Sequence, residues 1–147
     1  MKAIATITTL LVLVGGVFAQ VFPAPATTVR SLSGQFIVFG SRTPAVRPAP
    51  RGATNGNWVS LEPTLVTVSA ERIKQAVWRE LGVTGSWQNK IAITLHPARF
   101  VDEPINIESD RSMGVWNYRV AMPDQVSRER YLRAMVQVVL LELANRD

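Results

Sequence analysis

The chain of 147 residues contains no cysteine and a single histidine, His96. The lack of cysteine excludes disulfide bonds and thiolate metal sites. The chain also lacks a G-x-S-x-G nucleophile motif and a glycine-rich phosphate loop, so neither kind of site is predicted. The serine-containing stretches at residues 31–34 and 85–87 are typical of turns instead.

Residues 1–19 have the pattern of an export signal. Lys2 precedes an uncharged apolar run, and the small residues Val17 and Ala19 stand at the positions that signal peptidase reads. A membrane anchor is the alternative, but the run is short for a span, contains three threonines and two glycines, and has no basic stop after it. We therefore predict cleavage after Ala19 and a protein of the periplasm, the cell envelope or the medium.

Basic charge is concentrated in residues 20–66, which hold four arginines against one glutamate. The rest of the cleaved chain holds eleven basic and ten acidic residues, without the compact basic stripe and interleaved aromatics that nucleic-acid binding needs. A nucleic-acid partner is therefore not predicted. After cleavage about 128 residues remain and the formal charge falls from +5 to +4, a length that suits one domain with its own core.

Residues 20–66 are predicted to be an extended N-terminal segment with one strand. Residues 20–28 indicate an unstructured lead-in. Residues 34–40 are a short apolar run bounded by glycines, which is typical of a buried strand that pairs with a later one. Residues 43–57 hold three prolines and two glycines and are predicted to be a loop or linker.

Residues 67–147 are predicted to form an α+β core. A first helix is expected from an N-cap at Ser69 to a stop at Gly82. Alternation of apolar and polar residues predicts three strands, over residues 91–96, around Ile105 and Ile107, and over residues 114–122. With a second, C-terminal helix, the predicted fold is a small mixed or antiparallel sheet of about four strands packed against two helices.

The second helix is predicted to open near Asp124 or Ser127 and to reach the end of the chain. Apolar residues lie on every face of its second half, so we expect that half to be buried all round. Glu142 would then lie where a bare carboxylate is unfavourable, and Arg146, four residues later, is its expected ion-pair partner. The sequence offers no further element to cover the remaining faces of this helix, which suggests that the chain is an incomplete part of a larger domain.

The last helix reads VLLELAN at residues 139–145. Together with the order strand, helix, three strands and helix over residues 35–147, it resembles the N-terminal subdomain of gluzincin-like zinc peptidases, in which an edge strand precedes a buried helix bearing H-E-x-x-H. The resemblance implies that Glu142 takes the place of the general base, and that Leu141 and Asn145 take the places of the two zinc-binding histidines. Leucine cannot bind a metal and an asparagine amide is a poor zinc ligand, so the implied subdomain is degenerate. The helix also resembles that of uncharacterised exported bacterial proteins.

Other candidate residues are few. His96, expected on the outer face of its strand, is a candidate general base. A metal site would have to combine His96 with carboxylates such as Asp102, Glu103 or Glu108, whose spacing fits no known ligand pattern, so no metal or other cofactor is predicted. The aromatic residues suit either a ligand platform or the core, and their alternation favours the core; they are Trp58, Trp78, Trp87, Trp116 and Tyr118.

Two functions remain open from the sequence. The favoured one is a non-catalytic structural or interaction module, without a membrane span after cleavage, whose partner is another envelope protein or the remainder of its own chain. The alternative is a zinc-type hydrolase, with Glu142 as base and Asn145 as an unusual ligand, whose remaining ligands lie in a missing C-terminal part.

Overall fold

The structure of the protein, a computed structural model, describes residues 26–41 and 57–146. The predicted export signal and most of the predicted loop at residues 43–57 lie outside the described residues. In chain order the elements are β1 (Ala26–Arg30), β2 (Phe36–Ser41), β3 (Trp58–Ser60), α1 (Pro63–Glu80), β4 (Ile91–His96), β5 (Asn106–Ser112), β6 (Val115–Pro123), β7 (Gln125–Ser127) and α2 (Arg128–Ala144). The predicted α+β class is confirmed.

Five of the strands form one mixed sheet in the order β1-β2-β4-β6-β5. The central strands β2, β4 and β6 run parallel to one another, and the edge strands β1 and β5 are antiparallel to their neighbours. A second, small sheet pairs β3 with β7. The sheet is mixed, as predicted, and has one strand more than the expected four.

Strand β1 corrects the prediction that residues 20–28 are unstructured, because residues 26–28 pair with β2. The turn between β1 and β2 is closed by the Ser31 N–H, which donates to the Phe36 carbonyl at 2.9 Å, and Gly34 takes a φ of 73° that glycine tolerates. The predicted boundary between the N-terminal segment and the core lies at residue 67. Both β1 and β2 belong to the main sheet, and that boundary falls inside α1.

Both helices pack on one face of the main sheet, and the core lies between them and the sheet. Helix α1 contacts β1 and β2, helix α2 contacts β6, and the two helices contact each other. Alternate residues of the three parallel strands point into this core and are buried: Phe36, Val38, Ile91, Ile93, Leu95, Tyr118, Val120 and Met122. Residues between them, such as Thr94 and Arg119, are exposed on the opposite face, which gives a two-layer structure.

Helix α1 begins at Pro63, six residues before the predicted N-cap at Ser69. Pro63 occupies the first turn, where its missing N–H leaves no hydrogen bond unmade. Ser69 lies inside the helix, and its hydroxyl shares a 2.5 Å hydrogen bond with the hydroxyl of Tyr131. The prediction of Ser69 as the cap is therefore wrong. The predicted stop is confirmed, since Gly82 follows the helix with a φ of 61°.

Helix α2 begins after Ser127, as predicted, and the Ser127 hydroxyl accepts the Arg130 N–H at 3.4 Å. Its inner face is buried and consists of Tyr131, Ala134, Met135, Val138, Val139 and Glu142. On the outer face, Leu132 and Leu140 are 39% and 42% exposed. The prediction that the second half of the helix is buried all round is wrong, because the sheet and α1 cover only one side of it.

Strands β5 and β6 form a hairpin whose two-residue turn is Met113 and Gly114, with φ values of 51° and 81°. Two positive φ values are those of a type I′ turn, which matches the twist of the strands it joins. The short strand predicted around Ile107 is in fact seven residues long and ends at Ser112. Its length was not predictable from alternation, because the residues after Ile107 are polar.

Candidate functional site

Glu142 lies on the inner face of α2 and is completely buried. One turn later, Arg146 places its Nη2 atom 2.8 Å and its Nε atom 3.0 Å from Oε2 of Glu142. The predicted ion pair is therefore confirmed. The Arg146 side chain is itself only 17% exposed, so each charge of the pair depends on the other for its compensation.

Two tryptophans cover Arg146. Trp78 of α1 and Trp87, in the loop before β4, stack with ring centroids 5.8 Å apart. The guanidinium carbon of Arg146 lies 4.8 Å from the ring centroid of Trp78 and 5.5 Å from that of Trp87. The ammonium of Lys74 lies 6.0 and 5.4 Å from the same two centroids. With Phe36, whose ring is 5.9 Å from Trp87, we refer to these residues as the tryptophan cluster, in which negative ring faces stabilise two cations.

Lys74 joins the tryptophan cluster to the turn between β1 and β2. Its Nζ donates to Oε2 of Glu71 at 2.6 Å and to the side-chain oxygen of Gln35, and Ser33 donates to Oε1 of Glu71. Burial raises the pKa of Glu71, but hydrogen bonds from Lys74, Ser31 and Ser33 and the charge of Lys74 outweigh it and hold the pKa below its ordinary value. A carboxylate held ionised by such partners is a weak base and is unsuited to accepting a proton. The hydrogen bonds of this network instead fasten the turn to α1.

The two positions that the peptidase resemblance gives to zinc ligands have structural contacts. The Asn145 amide donates to the hydroxyl of Tyr118 at 3.2 Å, and Leu141 is packed against the core. Burial raises the pKa of Tyr118 and the charge of Glu142 adds to this rise, although the Asn145 bond and Arg146 oppose it. Tyr118 is therefore a neutral phenol at physiological pH.

His96 lies far from this cluster along the sheet, at the carboxyl end of β4. Its imidazole is 33% exposed, and its Nδ1 is 3.7 Å from Oε1 of the buried Glu103. Asp102 is mostly exposed and faces Arg130, with 3.6 Å between Oδ1 and Nη1, while Glu108 lies on the edge strand β5. Across residues 26–41 and 57–146, no three His, Asp or Glu side chains come close enough together to hold a metal ion.

The serines and aromatic residues take structural places. The Ser31 hydroxyl accepts the Phe36 N–H at 3.2 Å, as a turn residue does. Trp87 and Tyr118 are buried, which confirms the core interpretation for both. The other three aromatic residues of the predicted group are half-buried; they are Trp58, Trp78 and Trp116.

Sequence reasoning missed the tryptophan cluster. Lys74 follows Val66 and Ala70 at intervals of four on the inner face of α1, and all three are buried. A lysine in such a stripe is a usable signal, because lysine is almost never fully buried without partners. The identity of those partners was not available locally, since Gln35 is 39 residues away in the chain.

The outer face of α2 carries a shallow apolar groove. Leu132, Val136 and Leu140 line it at intervals of four residues. Glu129 and Arg133 border it and form an exposed ion pair at 2.6 Å. Leu140 of this surface belongs to the second half of α2, which the sequence predicted to be buried all round.

Neither helix within the described ranges is long and apolar enough to cross a membrane. Comparisons with protein-family models, with curated proteins and with solved structures found no match to the chain.

Proposed function

We propose that the protein is exported and works outside the cytoplasm as a non-catalytic structural or interaction module. The observation that carries the non-catalytic part is the environment of Glu142. Its carboxylate is completely buried and paired with Arg146. A general base must reach the proton that it removes, directly or through one water, and Glu142 presents no surface at which a substrate could approach.

The neighbours of Glu142 on α2 support the same proposal. Leu141 offers no donor atom to a metal, and the Asn145 amide is a poor zinc ligand whose Nδ2 group donates to the Tyr118 hydroxyl. Arg146 brings a positive charge beside the carboxylate, which opposes the binding of a second cation there. These contacts suit a residue that holds the end of α2 against the tryptophan cluster.

The export part of the proposal is supported by the sequence pattern of residues 1–19. It is tested by expressing the full chain in a bacterial host and sequencing the N-terminus of the purified product. A product that begins at Gln20 and fractionates with the periplasm or the medium supports export. A cytoplasmic product that begins at Met1 contradicts it.

The non-catalytic part is tested on the purified protein by elemental analysis and by a protease assay with casein and unstructured peptides. We expect less than stoichiometric zinc after dialysis against Zn²⁺, and no cleavage above that of Glu142→Gln. The matched control is Glu129→Gln, an exposed glutamate on the same helix. One equivalent of zinc, with cleavage that Glu142→Gln abolishes and Glu129→Gln retains, would overturn the proposal in favour of a zinc-type hydrolase.

A further inference from the structure

Three buried side-chain atoms lack a hydrogen-bond partner among the described residues, and they belong to Arg146 and to two residues that Arg146 contacts. They are Nε1 of Trp78, Oε1 of Glu142 and Nη2 of Arg146. The Nη2 atom is within ion-pair distance of Glu142 Oε2, at 2.8 Å, but its N–H bonds are not directed at that oxygen. Buried polar atoms are nearly always paired in folded proteins, so three on residues that are in contact point to a further partner.

Arg146 contacts both of the other residues. Its guanidinium lies over the Trp78 ring, 4.8 Å from the centroid, and contacts the carboxylate that carries the unpartnered Oε1. The site is enclosed, because Glu142 is completely buried and each of the three atoms is inaccessible to solvent. An unmet hydrogen bond in such surroundings costs the full desolvation of the group.

The donors and acceptors of the site specify the chemistry of what would satisfy it. Trp78 and Arg146 each offer an N–H and need an acceptor, whereas Glu142 Oε1 needs a donor. An anion is repelled by the charge of Glu142, and a metal cation has no acceptor for the two N–H groups. A water molecule supplies both functions at once and is the usual partner of such buried groups.

We propose that one internal water molecule binds between α1 and α2 in this site. It accepts the N–H groups of Trp78 and Arg146 and donates to Oε1 of Glu142. Through the water, the Trp78 N–H is linked by hydrogen bonds to the Glu142–Arg146 ion pair, in addition to the contact of the Trp78 ring with Arg146. It therefore extends the Glu142–Arg146 pair of α2 to a residue of α1.

The test is a water-selective NOE and ROE experiment on the indole N–H resonances of the ¹⁵N-labelled protein. Trp78→Phe and Trp87→Phe assign the two resonances. Trp87 is the matched control, since it is a neighbouring buried indole whose Nε1 already donates to the Asn89 carbonyl. We expect a dipolar cross-peak between water and the Trp78 indole N–H, and a much weaker cross-peak or none at Trp87. The relative signs of the NOE and ROE cross-peaks distinguish dipolar transfer from proton exchange.

Removing the acceptor and the second donor together should release the water, so the cross-peak at Trp78 should disappear in Glu142→Leu with Arg146→Met. A crystal structure of the unsubstituted protein gives an independent measurement. Density within about 2.7–3.2 Å of both Trp78 Nε1 and Glu142 Oε1 supports the proposal. A direct bond between those two atoms, or no water cross-peak at Trp78, would overturn it.

Discussion

Replacing Arg146 with alanine is expected to be one of the most destabilising changes in the protein. The substitution would leave the carboxylate of Glu142 unpaired at a position with no exposed surface. Breaking a buried ion pair by removing one partner costs about 3–5 kcal/mol. The whole free energy of unfolding of a domain is about 5–15 kcal/mol, so this one change should remove about a fifth of it or more.

Most of that cost should come from the stranded carboxylate and a smaller part from the contacts of the arginine with Trp78 and Trp87. In a Glu142→Gln background the charge is absent, so Arg146→Ala should cost only about 1–2 kcal/mol there. The difference between the two costs, the coupling energy, is therefore expected to be about 2–3 kcal/mol. Replacing both residues, by Glu142→Leu and Arg146→Met, should be neutral or stabilising, because no charge is then buried.

Urea unfolding followed by circular dichroism measures these free energies. Glu129 and Arg133 provide the matched control, since they lie on the same helix at the same spacing but are 73% exposed, and Arg133→Ala should cost less than about 0.5 kcal/mol. If Arg146→Ala does not fold alone, recovery of folding in the Glu142→Gln background supports the same reasoning. Equal costs of Arg146→Ala in both backgrounds would refute it.

Three further predictions concern Glu71, Tyr131 and the two faces of α2. The pKa of Glu71 is below its ordinary value of 4.5 in the folded protein. The ionised Glu71 side chain therefore stabilises the fold above pH 4.5, and this stabilisation is lost as the pH falls through the lowered pKa. Glu71→Gln should flatten the dependence of the unfolding free energy on pH in this range, and an unchanged slope would contradict the network around Lys74. Burial raises the pKa of Tyr131 above 10.0, although the Ser69 hydroxyl opposes the rise, so stability should fall as the pH rises above about 10, and less so in Tyr131→Phe. On α2, Val138→Ala should cost about 2 kcal/mol and Leu140→Gln about 0.5 kcal/mol or less; similar costs would mean that the buried face is assigned wrongly.

Strands and helices were predictable where apolar periodicity is strong. The strands β2, β4 and β6 and the N-cap of α2 at Ser127 lie where the pattern places them. Strand β1 and the second half of β5 were not predictable, because both are edge strands held largely by backbone hydrogen bonds to one neighbour. Backbone pairing leaves no apolar pattern in the sequence. The outer face of α2 was misjudged for the opposite reason, since Leu132 and Leu140 have apolar side chains without being covered.

At the site, the Glu142–Arg146 pair was predictable because a spacing of four residues on a helix is a local rule. The burial of the pair was predictable only in part. Trp78 and Trp87, which cover Arg146, come from α1 and from the loop before β4, so only the assembled fold brings them to the end of α2. The approach of Glu103 to His96 likewise depends on the loop after β4, whose path no spacing rule fixes.

The charges of the tryptophan cluster explain why it serves structure better than reactivity. Each of its two cations has its own carboxylate, Lys74 with Glu71 and Arg146 with Glu142, and both cations lie over the same two indole rings. Such an arrangement is satisfied only when the turn before β2, α1 and α2 are all in place, so it favours one packing of these elements over others. A reactive site needs a group left free to exchange a proton or a ligand. The two cations of this cluster are instead paired with Glu71 and Glu142, so a function of this protein in binding should be sought on its exposed surfaces.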